Sequence, residues 1–214
     1  MAIWTGTREV VAEVPDSEGY LVVDSEKCAN CKVCMQACSA ANEGEVNFSK
    51  SRVQVTGDPH GTMLEGSRAF PDDVRINQCR QCEDAPCVDV CPTGALHADE
   101  DTGNVRLIDQ ELCVGCVQCV EACPVTPDRL VWDQENRIAK KCDLCAESPY
   151  WDEEGGPDGK QACMETCPMD CFEFISRKPT QVGDEGYDVN LQRPEWQENF
   201  VAGLEGEEPP GWRE

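Results

Sequence analysis

CVGCVQCVEACP, residues 113–124, sets four cysteines apart by two, two and three residues and closes on a proline. CANCKVCMQAC, residues 28–38, repeats those intervals without the proline. CRQCEDAPCVDVCP, residues 79–92, widens the middle interval to four. The last set, Cys142, Cys145, Cys163 and Cys167, carries a long insert between its second and third members and again ends in proline. Sixteen of the 17 cysteines therefore fall into four quartets, and Cys171 stands apart.

The C-x2-C-x2-C-x3-C run of the first and third quartets is the bacterial ferredoxin signature of a [4Fe–4S] cluster. Three cysteines two residues apart in a tight loop can point their sulfurs at one cube. The fourth lies a helical turn further on, points away, and ligates the other cluster of a two-cluster pair. Zinc is the alternative for paired CxxC, but it wants two halves closing one tetrahedron, which four sets of three plus one fit poorly.

Exchange of fourth cysteines between quartets sets the expected ligands. Cys79, Cys82 and Cys87 share a cluster with Cys123, and Cys113, Cys116 and Cys119 share one with Cys91. The outer quartets then pair across the chain: Cys28, Cys31 and Cys34 with Cys167, and Cys142, Cys145 and Cys163 with Cys38. This reading divides the chain into an outer two-cluster module, residues 1–41 and 140–175, and an inner one, residues 79–139. Residues 42–78 form an insert and residues 176–214 an acidic C-terminal arm. Cys171 has three readings: a replacement ligand for Cys167, a reactive thiol, or a small buried side chain. Its register against Ala95, four residues after the corresponding cysteine, favours packing.

Composition narrows the function classes. Acidic residues outnumber basic ones 42 to 18, a formal charge of -24. A nucleic-acid binder needs a basic footprint, and an anionic membrane surface repels such a chain. No apolar run is long enough to span a membrane. The amino terminus has neither a secretory pattern nor a twin-arginine pair, so a cytoplasmic setting is expected. There, clustered cysteines bind metal more often than they form disulfides. Hydrophobic residues make up 40% and aromatic residues 6%, too little for a large core, so metal ligation is expected to supply cohesion. The acidity is spread along the chain, which favours a general surface property over one docking patch; a basic partner, a saline habitat and solubility all fit it.

The chain resembles the four-cluster ferredoxin-like electron-transfer subunits of molybdenum and tungsten pterin oxidoreductases, among them the iron–sulfur subunit of dimethyl sulfoxide reductase. CRQCEDAPCVDVCPTGAL and KCDLC are the most specific strings, and the resemblance runs from Lys27 to Ile175. CMQACSAANEGEVNFSKSRVQV is similar to the branch accompanying tungsten aldehyde oxidoreductase and the tungsten class of benzoyl-CoA reductase. That family pairs its cysteines as above. The resemblance implies four [4Fe–4S] clusters, no catalytic residue of its own, and a tungsten or molybdenum catalytic partner. A flavin subunit or ferredoxin would be the external carrier. A hydrogenase or carbon monoxide dehydrogenase partner, or a free polyferredoxin, are the alternatives. The chain departs from the family at Ser39, which replaces the first trailing proline, at PVTPDRL after the third quartet, and in the insert ESPYWDEEGGPDGKQA, residues 147–162.

The expected fold is α+β and loop-rich, tandem ferredoxin-like modules with pseudo-symmetry. Strands are expected at Tyr20–Val23, Asn104–Ile108 and Phe172–Ile175, a hairpin at Arg129–Trp132 and Arg137–Ala139, and short helical turns after the last cysteine of each group. Met35 and Met164 are expected to pack beside the clusters. His60 and His97 take surface or supporting roles. Lys32, Arg80, Lys140 and Lys141 are either solvated or tune a neighbouring cluster. Tyr187, Trp196, Phe200 and Trp212 make the C-terminal arm a candidate wrap around a partner, against the plainer reading of a disordered tail.

Overall fold

Tyr20, Leu21, Val22 and Val23 are four consecutive residues with apolar bodies, and all four are buried as strand β1 (Tyr20–Val23). A run buried on both faces belongs inside a structure, not at its surface. Its antiparallel partner is the last strand, β8 (Phe172–Ile175), with Tyr20 opposite Ile175 and Val23 opposite Phe172. The two ends of the cysteine-bearing region are thereby joined. The computed structural model describes residues 14–57, 74–181, 186–189 and 191.

Between these strands lie small elements in an α+β, loop-rich arrangement. Helix α1 (Val33–Glu43) is followed by β2 (Gln54–Thr56) and β3 (Arg75–Asn77), which pair with each other. Then come α2 (Pro86–Asp89), β4 (Leu96–Asp99), β5 (Val105–Ile108), α3 (Gln118–Glu121), β6 (Leu130–Asp133), β7 (Ile138–Lys141) and α4 (Ala162–Glu165). Strands β4 and β5 pair, as do β6 and β7, all antiparallel. Among the described residues no helix is long and apolar enough to cross a membrane.

The strands expected at Tyr20–Val23, Asn104–Ile108 and Phe172–Ile175 are present within a residue, and the hairpin is present with its second strand running two residues further, to Lys141. Strand β4, whose sequence Leu-His-Ala-Asp gives weak alternation, was not anticipated; it exists because β5 pairs with it. The helical turns differ from expectation. Each precedes or contains the fourth cysteine of its quartet instead of following it: α2 ends before Cys91, α3 before Cys123 and α4 before Cys167, while α1 contains Cys34 and Cys38. The reason is local. A C-x3-C interval is one helical turn, so the turn itself separates third and fourth thiols. The proline after the fourth cysteine disfavours continuing the helix.

Helix α1 is the long exception because Ser39 replaces that proline. Cys34, Met35, Cys38, Ala41 and Asn42 form its buried face at helical spacing. It stops at Gly44, whose φ of 69° places it in the left-handed region and whose N–H donates to the Ala40 carbonyl at 2.9 Å. A Cβ there would also lie 2.9 Å from the Tyr150 ring.

The same local plan occurs at the β1–β8 and β4–β5 pairs. Asp24 N–H donates to the carbonyl of Cys171 at 2.8 Å, and Asp109 N–H to that of Ala95 at 2.8 Å. The Asp24 carboxylate then accepts from the N–H groups of Glu26 and Lys27, and that of Asp109 from Glu111 and Leu112. These turns feed Cys28 and Cys113.

The core is a band of small aliphatics mixed with thiols. Leu21, Val23, Val53, Val55, Val74, Ile76, Val105, Leu107, Leu144 and Phe172 pack with Cys34, Cys38, Cys142, Cys163 and Cys171. Each fully buried Val or Leu contributes about 1.5–3 kcal/mol.

Candidate metal centres

Each quartet opens on the same backbone device. The residue before its second cysteine is left-handed in all four: Asn30 at φ 55°, Gln81 at 51°, Gly115 at 66° and Leu144 at 56°. One left-handed residue in a tight loop turns successive N–H groups to one side, forming a concavity that favours anions. For Asn, Gln and Leu this conformation is uncommon and carries strain, the kind found where a loop serves a ligand. Only Gly115 advertises it in the sequence. A Cβ at Gly115 would stand 2.2 Å from the Arg137 carbonyl oxygen.

The thiols come together in sets. Burial pushes the Cys34 thiol up to about 12, and Cys28, Cys167 and Cys31 push it the same way. Burial, then Cys145, Cys142, Cys38 and Cys34, raise Cys163. Cys87 is raised to about 12 by burial and the approach of Cys79, Cys82 and Cys123. Cys82 rises to about 11 by burial, with Cys79 and Cys123 adding to it. Cys119 rises to about 11 by burial, then by Cys113, Cys116 and Cys91. Thiolates this crowded and this buried demand a cationic centre to stay ionised. Among the described residues no three Cys, His, Asp or Glu side chains gather tightly enough for a single ion. A cubane holds its thiolates on a wider tetrahedron.

Donors reach the sulfurs from neighbouring segments. Arg52 N–H donates to Cys38 Sγ at 3.3 Å, Leu96 N–H to Cys91 Sγ at 3.3 Å, Cys171 N–H to Cys167 Sγ at 3.4 Å and Asn30 N–H to Cys28 Sγ at 3.4 Å. Burial opposes the Cys91 thiolate, but the N–H of Leu96 and the Thr93 hydroxyl outweigh it and hold that thiol below its ordinary value. Hydrogen bonds to sulfur are one of the levers by which a protein sets cluster potential. The Nε–H of Arg52, buried beside Cys38, has no partner among the described residues. An orphaned buried donor against an all-thiol set fits an anionic sulfide cluster.

The sets differ in exposure. Cys38, Cys142, Cys145 and Cys163 are all buried, whereas Cys116 and Cys31 are exposed. Leu112, Val114 and Val117 are exposed apolar side chains around Cys113 and Cys116.

Several basic residues near the cysteines are not solvated. Arg80, Lys140 and Lys141 are buried. Lys140 Nζ lies 2.8 Å from Glu43 and 2.9 Å from Asp133. Lys141 Nζ donates to the Arg106 carbonyl and, at 2.9 Å, to that of Cys142. Lys32 Nζ donates to the Val55 carbonyl. Each joins a cysteine loop to another segment, which i-to-i+4 reasoning cannot reveal. Met35 is buried and its sulfur accepts from Val55 N–H at 3.4 Å; Met164 packs against the same core. His97 is half-buried in β4, its Nδ1 3.2 Å from the Ala95 carbonyl, and His60 lies outside the described residues.

Cys171 is 1% exposed and packs in the core, and its thiol also hydrogen-bonds to Cys28. Tyr187 is not a free anchor. Its hydroxyl donates to the Arg80 carbonyl at 2.6 Å, and Arg80 sits 5.1 Å over its ring. Val23 and Tyr187 are joined by a 2.7 Å backbone bond, so the start of the C-terminal arm adds to β1. Trp196, Phe200 and Trp212 lie outside the described residues.

Residues 73–177 match the 4Fe-4S dicluster domain family, and residues 27–96 match a second family of the same description. The thiosulfate reductase electron transfer subunit PhsB of Salmonella typhi is 34% identical over 151 residues, covering 71% of this chain and 72% of that protein. The chain belongs to the 4Fe-4S dicluster family. Protein NrfC of Escherichia coli strain K12 is 34% identical over 179 residues, covering 81% of this chain and 74% of its own. The solved BamBC active-site complex of benzoyl coenzyme A reductase aligns over 87% of this chain and 88% of its own, at 18% identity and a TM-score of 0.38. The two dicluster matches imply four [4Fe–4S] clusters, and together with the PhsB relationship they make the chain an iron–sulfur electron-transfer protein.

Proposed function

We propose that the chain is the non-catalytic electron-transfer subunit of a cytoplasmic oxidoreductase, relaying single electrons between a tungsten or molybdenum pterin catalytic subunit and an external carrier. That carrier is a flavin subunit or a ferredoxin. The observation that carries the reading is the grouping of thiols across the sequence: Cys167 acts on Cys34, Cys38 on Cys163, Cys123 on Cys87, and Cys91 on Cys119. In each case the fourth cysteine of one quartet acts on the third cysteine of another. The ligand sets follow: Cys28, Cys31, Cys34 and Cys167 for cluster 1; Cys38, Cys142, Cys145 and Cys163 for cluster 2; Cys79, Cys82, Cys87 and Cys123 for cluster 3; Cys91, Cys113, Cys116 and Cys119 for cluster 4.

On this reading residues 1–41 and 140–175 build an outer module around an inner one, residues 79–139. The matching aspartate turns after β1 and β5 support a pseudo-symmetric relation between them. A [4Fe–4S] cluster supplies one-electron storage. The chain's own residues supply the rest: thiolates to hold the iron, inward N–H groups to disperse negative charge on sulfur, and apolar packing to exclude water. The partner assignment leans on PhsB, a thiosulfate reductase electron transfer subunit, and on the family resemblance carried by the first-quartet strings.

The test is elemental analysis of the native complex, isolated anaerobically through a tag on this chain. About 16 irons per chain with tungsten or molybdenum co-eluting is the expected result. Nickel in their place would redirect the partner to a hydrogenase or carbon monoxide dehydrogenase. Zinc with little iron would overturn the electron-transfer role.

A further inference from the structure

Cys38 is the most elaborately held thiol of its set, and what holds it comes from the insert. The N–H groups of Arg52 and Val53 and the Asn42 amide, 3.6 Å away, are directed at its sulfur. The buried Arg52 side chain is near enough to act on the same thiol through its charge and pairs with the Asp143 carboxylate. That pair is buried, with side-chain exposures of 8% and 7%. Asp143 is itself next to Cys142 and acts on Cys142 and Cys145. Every cysteine of this set is buried. A buried ion pair is expensive to desolvate and is weak evidence for stability alone. Its location between two segments that carry thiols of one set calls for another account.

We propose that Arg52 is the positioning residue that sets the potential of cluster 2, its guanidinium raising the potential and Asp143 partly offsetting it. The inference rests on the ligand set proposed above. Reduction adds a negative charge to an already anionic, water-excluded group, and there a fixed cation favours the reduced state more than it would at the surface. Arginine suits this because its guanidinium does not deprotonate in proteins, so the charge survives loss of its partner. The charges facing Arg52 are Asp143, the Cys38 thiolate and, further off, Glu43; Glu43 is itself bound to Lys140.

The signs separate this from a structural role. Potentiometric titration of the anaerobic, cluster-loaded full chain, followed by paramagnetic resonance, reads the four reduction steps. Asp143→Asn leaves the guanidinium unopposed, so one step moves to higher potential by at least tenfold in its equilibrium constant, about 59 mV for one electron. Adding Arg52→Gln to that background returns the step toward or below its starting value, while adding Arg52→Lys keeps it high. The other three steps stay in place. Where Arg52→Gln loses iron, Arg52→Met in the same background makes the comparison. No rise in Asp143→Asn, a step left unchanged when Arg52→Gln is added, or an equal shift of all four steps overturns the proposal. A wild-type chain holding far fewer than about 16 irons would instead sink the four-cluster reading beneath it.

Discussion

Gln81 links two cysteine loops that are far apart in sequence: its Nε2 donates to the Cys142 carbonyl at 3.0 Å while its Oε1 accepts from Arg106 N–H at 2.8 Å. The side chain is fully buried. Replacing it by alanine strands a buried carbonyl and a buried N–H, each costing about 1–3 kcal/mol. Gln81→Ala is therefore expected to lower the urea midpoint of the iron-loaded chain. Gln81→Glu, which places a buried carboxylate against the Cys142 carbonyl, should recover none of the loss. Equal stability of Gln81→Ala and wild type would show that the loops are held together by other means.

Gly115 tests the loop geometry. At φ 66°, with the Arg137 carbonyl 2.2 Å from where a Cβ would stand, alanine forces backbone to move. Gly115→Ala should lower iron from about 16 to about 12 per chain, with one of four paramagnetic signals lost. Full iron content in that variant would mean that the third quartet tolerates a different loop.

Cys171 and Cys167 compete for one role. Cys171 packs where Ala95 stands in the inner module, so Cys171→Ala should keep its full iron. Cys167→Ala should lose a cluster or leave one short of an iron. Iron loss from Cys171→Ala alone would transfer the ligand role to that residue.

The buried Lys140 carries a pH prediction. Burial works against the Asp133 carboxylate, but Lys140 and Asn136 outweigh it and hold Asp133 far below the usual carboxylate range. A group depressed in this way contributes stability that is present above its unfolded value, about 4, and lost only as pH falls through the lower folded value. Asp133→Asn should therefore destabilise by about 1–3 kcal/mol, and the difference should stay flat between about pH 8 and pH 5. Narrowing of that difference between about pH 7 and 5 would mean that Lys140 does not keep Asp133 ionised.

Iron removal should be catastrophic for the fold. Cys34, Cys38, Cys142 and Cys163 sit in the same band as Leu21, Val53, Val105 and Phe172, so the thiols are part of the core. Without metal, that band keeps its small aliphatics and gains crowded thiols. Anaerobic chelation is expected to abolish near-ultraviolet circular dichroism and the cooperative unfolding transition together. A cooperative transition that persists in the iron-free chain would show an apolar core sufficient on its own.

Cysteine spacing determined the cluster type and the grouping into quartets, because a cubane needs several thiols within a few residues of one another, and the family resemblance added the electron-transfer class. Alternation and apolar runs were enough for β1, β5, β8 and the β6–β7 hairpin. Tertiary structure decided what depends on contacts between remote segments. The left-handed Gln81 and Leu144 are stabilised by surroundings that their residue types do not announce. Strand β4 exists through its partner. Lys140 and Lys141 are buried because acceptors from other segments meet them, Arg80 sits over the Tyr187 ring, and Tyr187 turns inward because β1 offers an open edge. Arg52 reads in sequence as one more cation in a linker. Only folding brings it against Cys38 and Asp143, where water is excluded and one fixed charge can act on a metal centre.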